Sequence, residues 1–278
     1  LISVIVPTYN RAAFLVEAVR SVLDQEYFAT APSASWELLI VDDGSIDGTR
    51  ELVRSFGGRI RYHEQDHKGV SAARNFGLRQ ARGRFIAFLD SDDLWIKGKI
   101  GAQMDFMAAH PEAMICCTEE IWIRGGLRHN PGKRHKKYSG WIFDKVLSLC
   151  LLSLSSALFR REVFEDIGGF DETLPACEDY DLGIRLAHKY PFHFLPEPLI
   201  IKRGGHADQL SHQYWGMDRF RVQALEKALR LGLSMGQERL VREEIVKKSR
   251  VLLQGFLKRG NQAEAEKYAA IIAGNRPA

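Results

Sequence analysis

Three aspartates stand within four residues, Asp90, Asp92 and Asp93, directly after the apolar run Ile86-Ala87-Phe88-Leu89. Like charges this close repel. They sit well together when a divalent cation or a ribose hydroxyl lies among them. Aspartate also serves turns and helix caps, so a solvated turn accounts for the same residues. A second apolar run, Trp36 to Val41, ends in carboxylates too, Asp42 and Asp43, followed by Gly44-Ser45. A third acidic group, Glu178-Asp179-Tyr180-Asp181, opens an amphipathic segment, where salt bridging and capping are the plain uses of its charges.

Elements must bring these groups together. Ile2 to Pro7 reads as a β-branched strand, and a helix from about Ala12 to Gln25 follows by its spacing of Phe14, Leu15, Ala18, Val19, Val22 and Leu23. Trp36 to Val41 is a second buried strand, and Asp47 is placed to cap the next helix, which carries Leu52, Val53 and Phe56. Arg59 to His63 is a third strand, Gly69 to about Gly83 a helix, and the run before Asp90 a strand covered on both faces. Alternating strands and helices predict a parallel sheet with right-handed crossovers, and ligands of such sheets bind at the carboxyl ends of strands. A helix from about Ile96 to Ala109, strands at Ala113 to Ile123, Leu154 to Phe159, Phe192 to Leu195 and Leu199 to Lys202, and a helix from Cys177 to about His188 complete this region. From about Gln209 onward the chain reads as helical.

The net charge of +4 on 278 residues does not call for nucleic acid. No GxGxxG follows the first strand and no GxxxxGK[ST] occurs, which argues against a dinucleotide oxidoreductase and a P-loop nucleotidase. Four cysteines without a CxxC pair give neither a disulfide framework nor a zinc site, and reduced, packed thiols suit the cytoplasm. Cys116 and Cys117 are expected on opposite faces of one strand. The longest apolar run, Val146 to Phe159, is too short and too polar to span a bilayer. Residues 124–137 form a basic loop with Arg124, Arg128, Lys133, Arg134, Lys136 and Lys137. Such a loop is either a solvated segment or a lip that attracts an anionic acceptor or a membrane surface.

Six motifs, in order, resemble glycosyltransferase family 2: Val6-Pro7-Thr8-Tyr9-Asn10, Val41-Asp42-Asp43-Gly44-Ser45, Gly69-Val70-Ser71-Ala72-Ala73-Arg74-Asn75, Phe88-Leu89-Asp90-Ser91-Asp92-Asp93, Gly168-Gly169-Phe170-Asp171-Glu172 and Glu178-Asp179-Tyr180-Asp181-Leu182. The resemblance covers roughly residues 1 to 210 and implies the GT-A fold, a Rossmann-like α/β domain with a mostly parallel sheet. It implies an inverting enzyme that moves a sugar from a nucleotide diphosphate, UDP by default, to an acceptor hydroxyl with bound Mn²⁺ or Mg²⁺. Asp179 matches the family's general base, with Glu178 and Asp181 as competitors. Asp92 matches the metal-binding aspartate of the DxD motif. His206 sits where many members place a histidine that reaches the metal or diphosphate, although Gly204-Gly205-His206 departs from their usual Arg-x-His. Pro7, Tyr9, Asn10, Asp42, Arg74, Asp90 and Ser91 fall on the donor nucleotide. Glu178, Gly169 and Trp141 fall on the acceptor side.

The resulting expectation is a GT-A domain over residues 1–212, with a nucleotide-binding half (1–95) and an acceptor-binding half (96–212), and a C-terminal helical extension over 213–278. The acceptor is expected to be a glycan or lipid-linked glycan of surface polysaccharide synthesis, handled in the cytoplasm or at the inner face of the cell membrane. Val241, Ile245, Leu252 and Leu253 give the extension an apolar face, for packing on its own domain or for a homodimer. The alternatives are a silent nucleotide-sugar binding module and a nucleotidyltransferase. Every carboxylate of the pattern is present, against the first, and Thr8-Tyr9-Asn10 stands where the second has a Gly-rich basic signature.

Overall fold

The computed structural model describes residues 1–30, 35–58, 60–130, 132–206, 209 and 213–275, and of residue 134 only the backbone. Its first half is parallel. β1 (Ile2–Thr8) lies between β2 (Trp36–Asp42) and β4 (Phe85–Phe88), and β3 (Ile60–Glu64) extends the sheet beyond β2. Helices α1 (Ala12–Leu23), α3 (Thr49–Arg54) and α4 (Val70–Gln80) lie in the connections between these strands, with a short α2 (Glu26–Thr30) after α1. The expected strand start at Arg59 and the boundary at residue 212 lie outside the described residues.

Period-2 alternation sorts the strand side chains between two cores. Ile5, Leu39, Val41, Ile86 and Phe88 enter one, and Val4, Val6, Leu38, Ile40, Ala87 and Leu89 the other. Each such side chain, fully buried, contributes about 1.5–3 kcal/mol.

The second half holds β5 (Leu94–Trp95), α5 (Lys99–Ala109), β6 (Ile115–Arg124), β7 (Leu127–His129), α6 (Phe143–Val146), β8 (Ala157–Arg160), α7 (Glu162–Ile167), α8 (Glu178–Lys189) and β9 (His193–Gly204). The sheet order is β3-β2-β1-β4-β8-β6-β9-β5, with β7 on β6. β8 runs antiparallel to both β4 and β6, and β5 antiparallel to β9, while β6 and β9 are parallel. The run of parallel neighbours is therefore interrupted by β8, and the sheet as a whole is mixed. Cys116 and Cys117 enter opposite cores, and all four cysteines are free.

Three local expectations change. The two strands foreseen around Pro196 and Pro198 are one, β9, because register shifts opposite Thr118, Glu119 and Glu120 absorb the prolines. α5 begins at Lys99 rather than Ile96, since the Ile96 N–H donates to Leu199 O and prolongs the β5–β9 contact. Asp47 does not cap its own helix. Its Oδ2 accepts the Ala12 N–H at the start of α1 (2.9 Å) and its Oδ1 the Thr49 hydroxyl (2.6 Å). Burial draws the Asp47 carboxyl upward, but these hydrogen bonds outweigh it and hold the pKa below the ordinary value.

The helices α9 (Asp218–Ala228), α10 (Met235–Lys258) and α11 (Gln262–Gly274) follow. Ser234 and Gln237 close a capping box at the start of α10. Phe220, Leu225, Val241, Ile245, Phe256 and Tyr268 belong to the core that holds Phe88 and Phe170. Lys227 of α9 donates to Asp171 and, at 2.7 Å, to Asp181 of α8. The apolar face of the extension is thus spent on its own domain.

Two glycines separate close packing from mere conformational freedom. A Cβ on Gly83 would lie 2.5 Å from Ser3 N and 2.7 Å from Phe85 O, both backbone, whereas one on Gly101 within α5 meets nothing within 4 Å. Gly83→Ala is expected to cost about 1–3 kcal/mol and Gly101→Ala to gain about 0.5–1 kcal/mol, read as opposite displacements of the melting temperature.

Candidate active site

The carboxyl ends of β1, β2 and β4 meet at one edge of the sheet, and their loops hold each other in place. Asn10, at φ 49°, donates its N–H to Ser45 Oγ (2.8 Å) and accepts the Ile46 N–H on Oδ1 (2.8 Å). Asp42, buried at the end of β2, accepts the Ser45 N–H on Oδ1 (2.8 Å) and the Tyr62 hydroxyl on Oδ2 (2.6 Å). Asp43 gathers the segment before α4, taking Gln65 Nε2 (2.7 Å), the Lys68 N–H (2.9 Å), the Gly69 N–H (2.8 Å) and His67 Nδ1 (2.8 Å). Gly69 stands at φ 91°, outside the reach of ordinary side chains. Tyr9 is 41% exposed and stacks on His67, ring centroids 4.0 Å apart. Pro7 and Ser91 are buried.

Arg74, on α4, is buried between two carboxylates. Its Nη2 donates to Asp90 Oδ1 (2.7 Å) and its Nη1 to Glu178 Oε1 (2.6 Å), with Phe170 5.2 Å from its guanidinium. Arg74 therefore ties β4 to α8 and does not face open space. Burial pulls the Asp90 pKa up, and Arg74 more than offsets it, leaving it lowered. At Glu178 burial prevails over Arg74 and the pKa is raised.

The aspartate turn divides its work. The Asp93 N–H donates to Asp90 O (2.9 Å). Asp93 Oδ2 accepts the Ser155 hydroxyl (2.7 Å) and Oδ1 the Arg203 N–H (3.0 Å); burial, then the neighbouring Asp92, pushes its pKa well above the carboxylate range. Asp92 is half-buried between a cation and an imidazole. Its Oδ2 lies 2.7 Å from Arg11 Nη1 and 2.9 Å from His206 Nε2, so the two residues matched to a metal do meet. Among the described residues no group of three His, Cys, Asp or Glu side chains converges as a metal site.

On the far side of Arg74, α8 starts at Cys177, a non-glycine residue at φ 66° in the left-handed region, a strained conformation that aims the following acidic residues. Asp181 is buried and bonded to Arg185 (2.9 Å) and Lys227. Glu178 is held by Arg74. Asp179 takes the Tyr180 N–H on Oδ1 (2.7 Å) and lies in the wall of a cavity of about 130 Å³ with Glu120, Trp122, Lys137, Cys150 and Lys202. Glu120 binds Lys137 (2.8 Å) and the Trp122 indole N–H (2.7 Å); burial opposes its charge, but Lys137 and Lys202 lower its pKa to about 2. Burial also works against the charge of Lys202, yet Glu120, Asp93, Asp90 and Asp179 raise its pKa above the lysine range. Burial and Asp179 hold the Cys150 thiol protonated. Trp141 is 67% exposed and lies outside this wall, and Gly169 is a packing position, where a Cβ would meet Asn75 Oδ1 at 2.3 Å.

The family model "Glycosyl transferase family 2" matches residues 3–168, more than half of the chain. This chain belongs to glycosyltransferase family 2. A second model, "Glycosyltransferase like family 2", matches residues 135–237. Among curated relatives, the uncharacterized glycosyltransferase RC0461 of Rickettsia conorii is 35% identical over 68% of this chain and 30% of its own length. The chain thus spans about a third of that relative. The Escherichia coli protein WfgD, named UDP-Glc:alpha-D-GlcNAc-diphosphoundecaprenol beta-1,3-glucosyltransferase, is 45% identical over 44% of this chain and 46% of its own. The crystal structure of S. aureus TarS 1-349 in complex with UDP-GlcNAc superposes with a TM-score of 0.80 at 20% identity, over 99% of this chain and 81% of that one. The fold is GT-A, and the likeness to TarS runs on through the C-terminal helices that the family motifs leave out.

For a family 2 glycosyltransferase, the motifs located the edge of the sheet but not its wiring. His67, Arg11, Glu120 and Lys202 were missed. The signal for Lys202 was present, four residues before His206 on a strand, and that for Glu120 was the acidic pair Glu119-Glu120 between apolar residues of one strand.

Arg74→Ala strands Glu178 as a buried carboxylate and is expected to destabilise the protein by about 3–5 kcal/mol in urea titration; adding Glu178→Ala should restore part of the loss. The lowered Glu120 pKa stabilises the fold fully above the ordinary carboxylate value of 4.5, and that contribution is lost as pH falls toward about 2. Glu120→Gln should flatten the acid limb of stability in that window.

Proposed function

We propose that this protein transfers a sugar, with inversion, from a nucleotide diphosphate donor to an acceptor hydroxyl in cell-surface polysaccharide or glycoconjugate synthesis. One observation carries the reading. Of the three carboxylates that open α8, Glu178 and Asp181 are buried in ion pairs, and Asp179 alone lines a cavity. An inverting displacement needs one base beside the incoming hydroxyl, and we assign that role to Asp179.

In this reading residues 1–95 hold the donor, residues 96–212 the acceptor, and residues 213–278 brace the acceptor half. The exposed Tyr9 ring, backed by His67, offers a stacking face for the base, with Pro7 and Asn10 shaping the loop. Asp42 has lone pairs left to accept a base N–H, uracil N3–H being the default. Asp90 and Ser91 adjoin the ribose and diphosphate, and Arg74 acts on the donor through Asp90. Asp92 and His206 fit a divalent cation as a carboxylate–imidazole pair, a donor set better matched to Mn²⁺ than to Mg²⁺. When bound there, the cation offsets the charge of the diphosphate.

The acceptor oxygen attacks the anomeric carbon from the face opposite the diphosphate. Its proton passes to a carboxylate oxygen of Asp179, the new C–O bond forms, and the nucleoside diphosphate leaves with the electron pair of the broken bond. The Asp90–Arg74–Glu178 chain keeps donor and acceptor sides in fixed register. WfgD, by its name, extends a GlcNAc joined through a diphosphate to undecaprenol. A lipid-linked glycan at the inner face of the cell membrane is the corresponding acceptor here. Among the described residues no helix is long and apolar enough to cross a membrane.

A thermal-shift panel of UDP, GDP, dTDP and CDP with and without Mn²⁺ tests the donor site, and one nucleotide is expected to raise the melting temperature in a metal-dependent way. Asp179→Asn should lower transfer by about 10²–10⁴-fold while leaving that shift intact, and Asp92→Asn should abolish the metal dependence. Full turnover in Asp179→Asn would remove it as the base.

A further inference from the structure

Residues 124–137 are not used by the mechanism above. Between Glu120 and Asp144 the chain carries six lysines and arginines and no acidic residue. Arg124, Arg128, Lys133 and Lys136 are exposed, and among the described residues none of the four meets a carboxylate. Arg124 and Lys136 lie only over the rings of Trp122 (5.9 Å) and Tyr138 (5.5 Å). A solvated basic surface normally intersperses both signs, so an unbalanced run is a field aimed at an anion.

The place of the run decides what that anion does. Its outgoing leg is the end of β6, where Trp122 lines the Asp179 cavity, and its returning leg brings His135 and Lys137 into the same wall. Trp122 and His135 are 4.9 Å apart, edge to face, so the two legs touch. At its root the Gly125 N–H donates to Gly204 O of β9 (3.2 Å). The cations therefore form a rim fixed at both ends around the cavity that holds the base. Inside, the charges are already matched: Lys137 is bound to Glu120 and to Leu151 O (2.9 Å). Among the described residues the four exposed cations lie on the segments that lead into and out of this wall.

We infer that the acceptor is a phosphate-bearing glycan, and that Arg124, Arg128, Lys133 and Lys136 bind its phosphate while its terminal sugar enters the Asp179 cavity against Trp122. This rests on the transferase reading and adds to it the chemical class of the acceptor and the residues that select it. The phosphate is either a diphosphate joining the glycan to a lipid or a phosphodiester of a polyol phosphate chain. Both present the same charged oxygens to guanidinium and ammonium groups.

The test compares binding by the full chain of three soluble probes: N-acetylglucosamine joined through a diphosphate to a short alkyl chain, an oligo(glycerol phosphate), and neutral octyl glucoside. UDP binding and binding to phosphatidylglycerol vesicles are measured in parallel. One phosphate-bearing probe is expected to bind at least about tenfold more tightly than octyl glucoside, and which of the two it is names the source. The variant Arg124→Ser/Arg128→Ser/Lys133→Ser/Lys136→Ser should lose that preference while keeping the wild-type melting temperature and nucleotide affinity. If that variant is unstable, Arg128→Ser/Lys133→Ser should lose part of it. Equal binding of the neutral probe, or a preference that survives these substitutions, overturns the inference and leaves the transferase reading standing. A parallel fall in nucleotide affinity does the same by assigning the rim to the donor. Rim-dependent binding to vesicles without any preference among the glycans does so by assigning it to the bilayer. Failure of every nucleotide to bind the wild type removes the transferase reading and this inference with it.

Discussion

The buried guanidinium of Arg74 is the interaction on which the site depends. It lies in a crevice between a helix of the parallel half and a helix of the mixed half, and it is the shared counter-charge of Asp90 and Glu178. Glu178 in particular would not be tolerated there alone, because desolvation of an unpaired buried charge costs several kcal/mol. The planar fork of arginine meets both with separate nitrogens, which a lysine ammonium cannot reproduce with the same geometry. Asp179, the residue after Glu178, is thereby set at a fixed distance from the turn after β4.

Around this bridge the acidic residues divide into those that build and those that remain accessible. Asp42, Asp43, Asp47, Asp93 and Asp181 spend their oxygens on backbone N–H groups, hydroxyls and cations that shape the loops. Asp179 lines the cavity, and among the described residues Asp92 meets Arg11 and His206 through its side chain. The building group is the larger, since a loop edge with many unpaired N–H groups needs acceptors as much as a ligand does. The C-terminal helices belong to the same economy, because Lys227 supplies the cation for both Asp171 and Asp181.

Much of this was legible in the sequence, and the rest was not for definable reasons. Unbroken apolar and β-branched runs marked β1, β2 and β4 as buried strands, and the order of motifs led to the family and the GT-A fold. The meeting of Asp92 with His206 was anticipated from motif position alone. Arg74 was foreseen at a helix N-terminus facing the donor, but its partner Glu178 is 104 residues away, and local pattern cannot show which buried acid claims a given arginine. Asp47 was read as capping its own helix and instead caps α1, since the closing loop brings it beside Ala12. The single strand β9 was read as two because prolines end regular ladders, and a bulge that tolerates them leaves no mark in the composition. Glu120 and Lys202 escaped because each reads as an ordinary surface charge of its strand until β6 and β9 are paired.

The turn after β4 takes a backbone hydrogen bond from Arg203, 110 residues farther along the chain, and β5 is a strand only because β9 lies beside it. During synthesis the parallel strands can pair early, since their partners are close in sequence, and Arg11 and Arg74 are available to Asp92 and Asp90 at once, whereas Asp93 waits for the Ser155 hydroxyl and then for the Arg203 N–H. The protein consequently completes this acidic turn in stages, its last backbone hydrogen bond coming after a hydrophobic frame exists to hold it. A nascent chain arrested before β9 would carry the aspartate turn with its arginine partners but without the bond from β9 that closes it.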